Sequence, residues 1–266
     1  MRSNQIDLYI IAAGKSTRMK NAFGYRPKAL IPVVGKEPNI TRTINLFAKD
    51  FQKIFVVTNV NDQEQWEDFF SRVTQENVFN IPISSGYGDG HALMTALQQN
   101  QHDASPNIIT CWGDVVFPDK TLINELSAID LKSSVRPGII PASMEDNPYV
   151  KLEVEQQLDG VLSCKGALFS KHGETSQRGL HDLSVFRFNT SMIKECLKNL
   201  HNALWKCDKY ITPGGELSVL HSFHAFYNSK NPIQVYETVC QTLSFNTPEE
   251  LFAIQETLKG IKDNDE

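Results

Sequence analysis

Apolar and amphipathic stretches alternate along the first half of the chain. Ile6 to Ala13 is apolar apart from Asp7, and Ile54-Phe55-Val56-Val57-Thr58, Phe79 to Ser84 and Asn107 to Cys111 are further short strand-like runs. Near-continuous apolar runs of this length fit strands buried on both faces. Between them, Ile40 to Lys49 places Ile40, Ile44, Phe47 and Ala48 at helical spacing. A second helix is expected from a cap at Asp62 to Val73, and a third from a cap at Asp89 to Asn100. Strand, helix, strand, helix in this order predicts an α/β fold with a parallel sheet. In such sheets ligands collect at the carboxyl ends of the strands. The segments 14–28, 85–91 and 113–114 follow three of those ends and are expected to converge.

The second half is less regular. Strands are expected over 137–142, 150–155, 161–166, 183–188 and 240–245, some of them antiparallel. Helices are expected over 190–200, 216–227 and 248–258. Lys171 to Arg178 reads as a polar loop, and the tail from Lys259 is charged. With no internal repeat or clear linker, a single domain over 1–266 is the simplest expectation. Its two halves are 1–115 and 116–260, followed by a tail, 261–266.

Composition narrows the classes. The 266 residues are 41% hydrophobic and 21% charged, with net charge −5, the profile of an ordinary globular chain. A sequence pI near 5.8 argues against a nucleic-acid binder, which needs a basic domain. No apolar run approaches the roughly 20 residues that span a membrane, and the N-terminal run lacks the flanks of a signal peptide. Cys111, Cys164, Cys196, Cys207 and Cys240 are odd in number and widely spaced, so reduced thiols and a cytoplasmic location are expected. His221 and His224, three apart, are a weak metal candidate that lone histidine pairs rarely fulfil.

Charge is unevenly placed. From Leu8 to Lys36 there are six basic residues (Lys15, Arg18, Lys20, Arg26, Lys28 and Lys36) and no acidic one. That segment carries +6 and the remainder −11. A buried strand opening through Gly14 into a cationic loop suits a small polyanion. Glycine lets the backbone approach phosphate, Arg18 can grip phosphate oxygens in a bidentate manner, and Lys28 adds a point charge stiffened by Pro27.

Two motifs carry a family resemblance: Ala12-Ala13-Gly14-Lys15-Ser16-Thr17-Arg18-Met19, and Arg26-Pro27-Lys28-Ala29-Leu30-Ile31-Pro32-Val33. Together they resemble the signature of the nucleotidyltransferases that make nucleotide sugars and related activated compounds, including the MobA-like NTP transferases. The resemblance implies a Rossmann-like α/β fold with a mixed, mostly parallel sheet flanked by helices, akin to the glycosyltransferase A fold. It implies transfer of a nucleoside monophosphate from a nucleoside triphosphate to a phosphorylated acceptor, with release of pyrophosphate. Carried over by motif, Arg18 and Lys28 are the catalytic cations, while Ala12, Ala13, Gly14, Lys15, Ser16 and Thr17 lie against the nucleotide. Residues 1–115 become the NTP-binding half and 116–260 the acceptor-binding half.

Three further segments extend the resemblance. Trp112-Gly113-Asp114 resembles the strand-Gly-Asp element whose carboxylate holds Mg²⁺, and Phe245-Asn246-Thr247-Pro248 resembles the late segment that completes the metal site, making Asp114 and Asn246 the implied ligands. Ser85-Gly86-Tyr87-Gly88-Asp89-Gly90-His91 resembles the loop that approaches the base, which implicates Ser85, Gly88, Gly90 and His91. The glutamine that uridylyltransferases of this group place just upstream is missing; Ile83-Ser84-Ser85 stands there, so CTP or UTP is expected without a choice between them. The glutamate-lysine pair of sugar-specific members is also incomplete. Lys165 remains, and Asp182 and Glu216 are further acceptor candidates. The expected acceptor is a sugar 1-phosphate. The alternative is a cytidylyltransferase for a non-sugar phosphate such as phosphocholine, a phosphonate or a phosphorylated amino acid. A nucleotide sensor without activity is a third reading, although Arg18, Lys28 and Asp114 are all present. No left-handed β-helix pattern is found, so a fused acetyltransferase is not expected. Small-molecule partners are expected, with no nucleic acid or membrane, and the sequence leaves room for a homodimer.

Overall fold

The computed structural model describes residues 6–84, 86–129, 136–169 and 177–262. Ser85, most of the 171–178 loop and residues 263–266 of the tail lie outside these residues. A ten-stranded sheet runs through both halves of the chain. Its strands are β1 (Ile6–Ile11), β2 (Ile54–Asn59), β3 (Val78–Ile83), β4 (Asn107–Trp112), β5 (Gly138–Glu145), β6 (Val150–Gln156), β7 (Leu162–Phe169), β8 (Gly179–Asp182), β9 (Val185–Asn189) and β10 (Gln234–Glu237). The order is β3-β2-β1-β4-β9-β5-β10-β7-β6, with β8 paired to β5. The first four strands are mutually parallel. β9 then enters antiparallel between β4 and β5, β10 runs parallel to β5, and β7 and β6 close the far side antiparallel. This is the mixed, Rossmann-like sheet that the motifs implied.

The continuous apolar character of β1 has a direct cause. Tyr9, Ile11 and Ala13 enter one core, with helices α3 (Asp89–Gln99), α5 (Thr190–Leu204) and α6 (His221–Asn228). Ile6, Leu8, Ile10 and Ala12 enter the other, with α1 (Asn39–Phe47), α2 (Gln63–Phe70) and α4 (Thr121–Ala128). Successive strand residues point to opposite faces, so a strand covered on both faces has no polar side to show.

A third, smaller core matters most for the site. Helix α7 (Pro248–Lys262) sets Leu251, Ile254 and Leu258 against Met19, Ile31, Val33 and Val116, with Phe245 fully buried among them. Burying side chains such as Phe245 and Leu251 contributes roughly 1.5–3 kcal/mol each. That packing holds the C-terminal helix on the basic loop and on the two-residue strand Val115–Val116, which pairs with Leu243–Ser244.

Several sequence expectations shift. Asp62 begins α2, but its side chain makes no cap hydrogen bond; Asn59, one turn earlier, accepts from the Asn61 amide. Asp89 is the first residue of α3 and points its carboxylate elsewhere, as described below. The helix expected from Glu216 starts at His221, because the Leu217 backbone is hydrogen-bonded to the loop before α3. The strand expected over 240–245 shrinks to Leu243–Ser244. The elements that went unread include α4, whose Leu122, Ile123 and Leu126 do sit at helical spacing, and the four-residue strands β8 and β10. Among the described residues, no helix is long and apolar enough to cross a membrane. All five cysteines are free thiols.

Candidate active site

A cleft of about 480 Å³ opens at the carboxyl ends of β1, β3 and β4. Lys15, Arg18 and Lys28 line it from the basic loop, Asp114 from the turn after β4, and Asn246 from the turn before α7. Five residues spread over most of the chain therefore meet in one place. Ala12, Ala13, Gly14 and Ser16 line it as well. A Cβ added at Gly14 would meet nothing within 4 Å, so the space above this backbone is clear. Thr17 begins a 3-10 turn, Thr17–Met19.

Local chemistry fixes each charged group. Ser16 adopts φ +51 and its Oγ accepts from the Lys28 amide at 2.9 Å, tying the two motifs together. The Lys28 ammonium pairs with the Asp114 carboxylate. It also donates to Asn246 Oδ1 at 3.0 Å and to the Phe245 carbonyl at 3.1 Å. Asp114 sits on a tight turn: the Gly113 amide donates to Ile11 O at 2.9 Å, and a Cβ at Gly113 would meet Ala12 and Ala29 at 3.0 Å. On the other side, Asn246 lies beside a capping box, in which the Glu250 carboxylate accepts from the Asn246 and Thr247 amides and Thr247 Oγ1 accepts from the Glu250 amide.

These oxygens bear on a metal. Among the described residues, no cluster of three His, Cys, Asp or Glu side chains could hold one. His221 and His224 are otherwise engaged: His221 Nδ1 accepts from the Ser218 amide at 3.0 Å, and His224 Nδ1 lies 3.3 Å from Lys165 O. At the cleft, one carboxylate and two carbonyl oxygens already surround a cation. A donor set of this hardness fits Mg²⁺, which uses one or two carboxylates and takes other ligands from substrate phosphates and water.

The glycine-rich loop does something the sequence did not show. Its backbone is docked on the segment before α6: Leu217 N donates to Tyr87 O at 2.8 Å, and Gly90 N donates to Leu217 O at 2.9 Å. A Cβ at Gly88 would lie 2.3 Å from Leu217 O, and one at Gly90 would lie 2.7 Å from the Ser218 carbonyl carbon. Close backbone packing therefore accounts for both glycines. Gly86, Tyr87, Gly88 and Asp89 line the cleft, whereas Gly90 and His91 do not. His91 turns into an aromatic cluster with Tyr87, His201, Trp205 and Tyr210. The Tyr210 hydroxyl bridges His91 Nδ1 at 2.6 Å and His201 Nδ1 at 2.8 Å. Burial, with His201 nearby, pushes His91 down from its ordinary pKa. His91 thus stands outside the cleft, as a packing residue between α3 and α5.

Asp89 was missed. Its carboxylate accepts from the Val219 amide at 2.6 Å and the Ser218 hydroxyl at 3.3 Å. Burial still outweighs these bonds and pushes its pKa up to about 6. Of the acceptor candidates, only Glu216 reaches the cleft. Asp182 is buried, held by the Ser184 amide at 2.8 Å and raised in pKa by that burial. The Lys165 ammonium lies 5.7 Å from the centre of the Tyr227 ring. The cleft-lining aromatics Tyr87 and Trp112 gave no sequence signal beyond their position after strand ends. The basic segment also divides: Arg26 and Lys36 line a second cleft of about 620 Å³ beside α1 and α2.

Comparison with known proteins finds relatives in both sequence and fold. The family profile described as the MobA-like NTP transferase domain matches residues 8–143, just over half the chain. The bifunctional protein GlmU of Methanococcus maripaludis is 29% identical over 163 residues, covering 59% of this chain and 38% of that protein. The chain thus spans about two fifths of the length of this curated relative. Among solved structures, a UDP-glucose pyrophosphorylase complexed with UDP-glucose superposes with a TM-score of 0.73 at 14% identity, over 96% of this chain and 98% of the other. The inositol-1-phosphate CTP transferase of T. maritima gives 0.67 at 12% identity, over 97% and 98%.

Proposed function

The chain belongs to the family of MobA-like NTP transferase domains, and from that premise we propose that it is a Mg²⁺-dependent nucleotidyltransferase. The reading is carried by the convergence of Lys15, Arg18 and Lys28 with Asp114 and Asn246 in one cleft. An oxygen of the acceptor phosphate attacks the α-phosphorus, the bond to the bridging oxygen breaks, and pyrophosphate leaves. No protein nucleophile is required. Arg18 and Lys28 neutralise charge on the triphosphate and the leaving group, and the open backbone at Ala12 to Gly14 receives the nucleotide. Positioning and charge compensation supply the rate. Asp114 and Asn246 would hold Mg²⁺, which when bound adds Lewis-acid stabilisation of the phosphate oxygens.

The nucleotide is CTP or UTP on this reading, and the acceptor a sugar 1-phosphate. One observation favours the cytidylyl alternative with a non-sugar acceptor: Lys165 and Asp182, where sugar contacts were expected, do not line the cleft. The deciding assay incubates the protein with Mg²⁺, each of the four nucleoside triphosphates and a panel of phosphorylated acceptors, and measures pyrophosphate. Release with CTP or UTP and one acceptor class is the expected result. No release with any pair would favour a binding role.

A further inference from the structure

The Lys28 ammonium stands among three oxygens drawn from two distant parts of the chain: Asp114 Oδ2, Asn246 Oδ1 and the main-chain oxygen of Phe245. An ammonium has three protons to donate, and here each has an acceptor. The pocket is well fixed. The Phe245 ring is fully buried, and Asn39 Nδ2 donates to Gly113 O at 3.2 Å and Val115 O at 2.9 Å, on either side of Asp114. One carboxylate with two neutral carbonyls is also the donor set judged above to suit a hard divalent ion. Two cations within one small shell of oxygens repel each other strongly, so the two occupancies exclude one another.

We infer that Lys28 is the resident cation of this pocket in the nucleotide-free protein, and that it competes with the divalent metal for the same oxygens. Entry of a metal-nucleotide complex then moves the ammonium off Asp114 and Asn246 and onto the triphosphate, which offers it new anionic oxygens. This rests on the transferase reading. It adds that the protein alone binds metal weakly, because its own lysine must first be displaced.

The test uses Mn²⁺ alone as the probe, titrated calorimetrically into the full chain without nucleotide. Lys28→Met and Lys28→Gln, checked for folding by circular dichroism, should each bind Mn²⁺ at least tenfold more tightly than wild type. The double variant Lys28→Met with Asp114→Asn should lose that increase. Equal or weaker binding in the folded single variants would overturn the inference. A second measurement needs no variant: the lysine Nζ resonance assigned to Lys28 should shift when wild type is saturated with Mg²⁺ and a non-hydrolysable nucleotide, and an unmoved resonance would count equally against the exchange. Failure here is separable from failure of the function. A Lys28→Met protein that loses turnover yet binds Mn²⁺ no better removes the exchange and leaves the transferase standing. Tighter Mn²⁺ binding with no nucleotide-acceptor pair active does the reverse.

Discussion

At the scale of single residues, chemistry and packing ask for different side chains, and the cleft contains both kinds. Lys28 and Asp114 are present for charge. Lys28→Ala and Asp114→Asn are each expected to lower turnover by roughly 10²–10³-fold, the scale seen when one preorganised electrostatic partner is removed, with the thermal midpoint little changed; steady-state pyrophosphate release checks both. Gly88 is present for space. Its φ of +96 and the nearby Leu217 carbonyl exclude a side chain, so Gly88→Ala should cost at least about 1–3 kcal/mol from the backbone alone, measured by urea denaturation. That Arg18, Lys28, Asp114 and Asn246 meet in one cleft was legible from cations and hard oxygens placed at strand ends. Gly88 lines the cleft, whereas Gly90 and His91 do not; in a sequence, a glycine needed for a ligand looks the same as one needed for a neighbouring stretch of backbone. The thiols divide by burial: Cys207 is exposed, while Cys111 and Cys164 are buried and pushed upward in pKa. A thiol reagent should therefore modify Cys207 in the native protein and reach Cys111 only on unfolding.

At the scale of elements, the start of α1 deserves a mutation of its own. Asn39 is buried, and instead of capping its helix it spans the turn that carries Asp114. Asn39→Leu keeps the volume but strands two carbonyls, which costs about 1–3 kcal/mol. Turnover should fall by more than that destabilisation explains when assayed well below the melting temperature; turnover equal to wild type would separate Asn39 from the site. The helix expected from Ile40 begins one residue earlier, at Asn39, a polar residue that hydrophobic spacing does not mark. β1, β2 and β4 were legible because burial on both faces leaves an unbroken apolar signature, whereas β3, at the sheet edge, leaves Phe79, Asn80 and Pro82 exposed. β10 was not, because four residues cannot show a period and its place beside β5 is set by long-range pairing.

At the scale of the whole molecule, the glycine-rich loop meets 216–219 in one joint between the halves, and the Asp89 carboxylate accepts from Ser218 and Val219 there. Its folded pKa of about 6 lies above the ordinary aspartate value of 3.8. The stability it contributes is therefore present in full below pH 3.8 and is lost as pH rises through about 6. Relative to Asp89→Asn, wild type should lose stability between pH 4 and pH 7, and thermal midpoints across that range check it; a constant difference would contradict the burial. The joint was not legible, because it consists largely of main-chain contacts that no residue type announces. The Lys28–Asn246 contact, 218 positions apart in the chain, also has a consequence in time. At the roughly 5–20 residues per second of synthesis, Asn246 is made about 10–40 seconds after Lys28, and β9, which covers the free edge of β4, is made late in the same interval. The nascent chain carries its basic loop long before it can assemble the pocket that engages that loop's lysine. Activity should arrive only once Asn246 has left the ribosome.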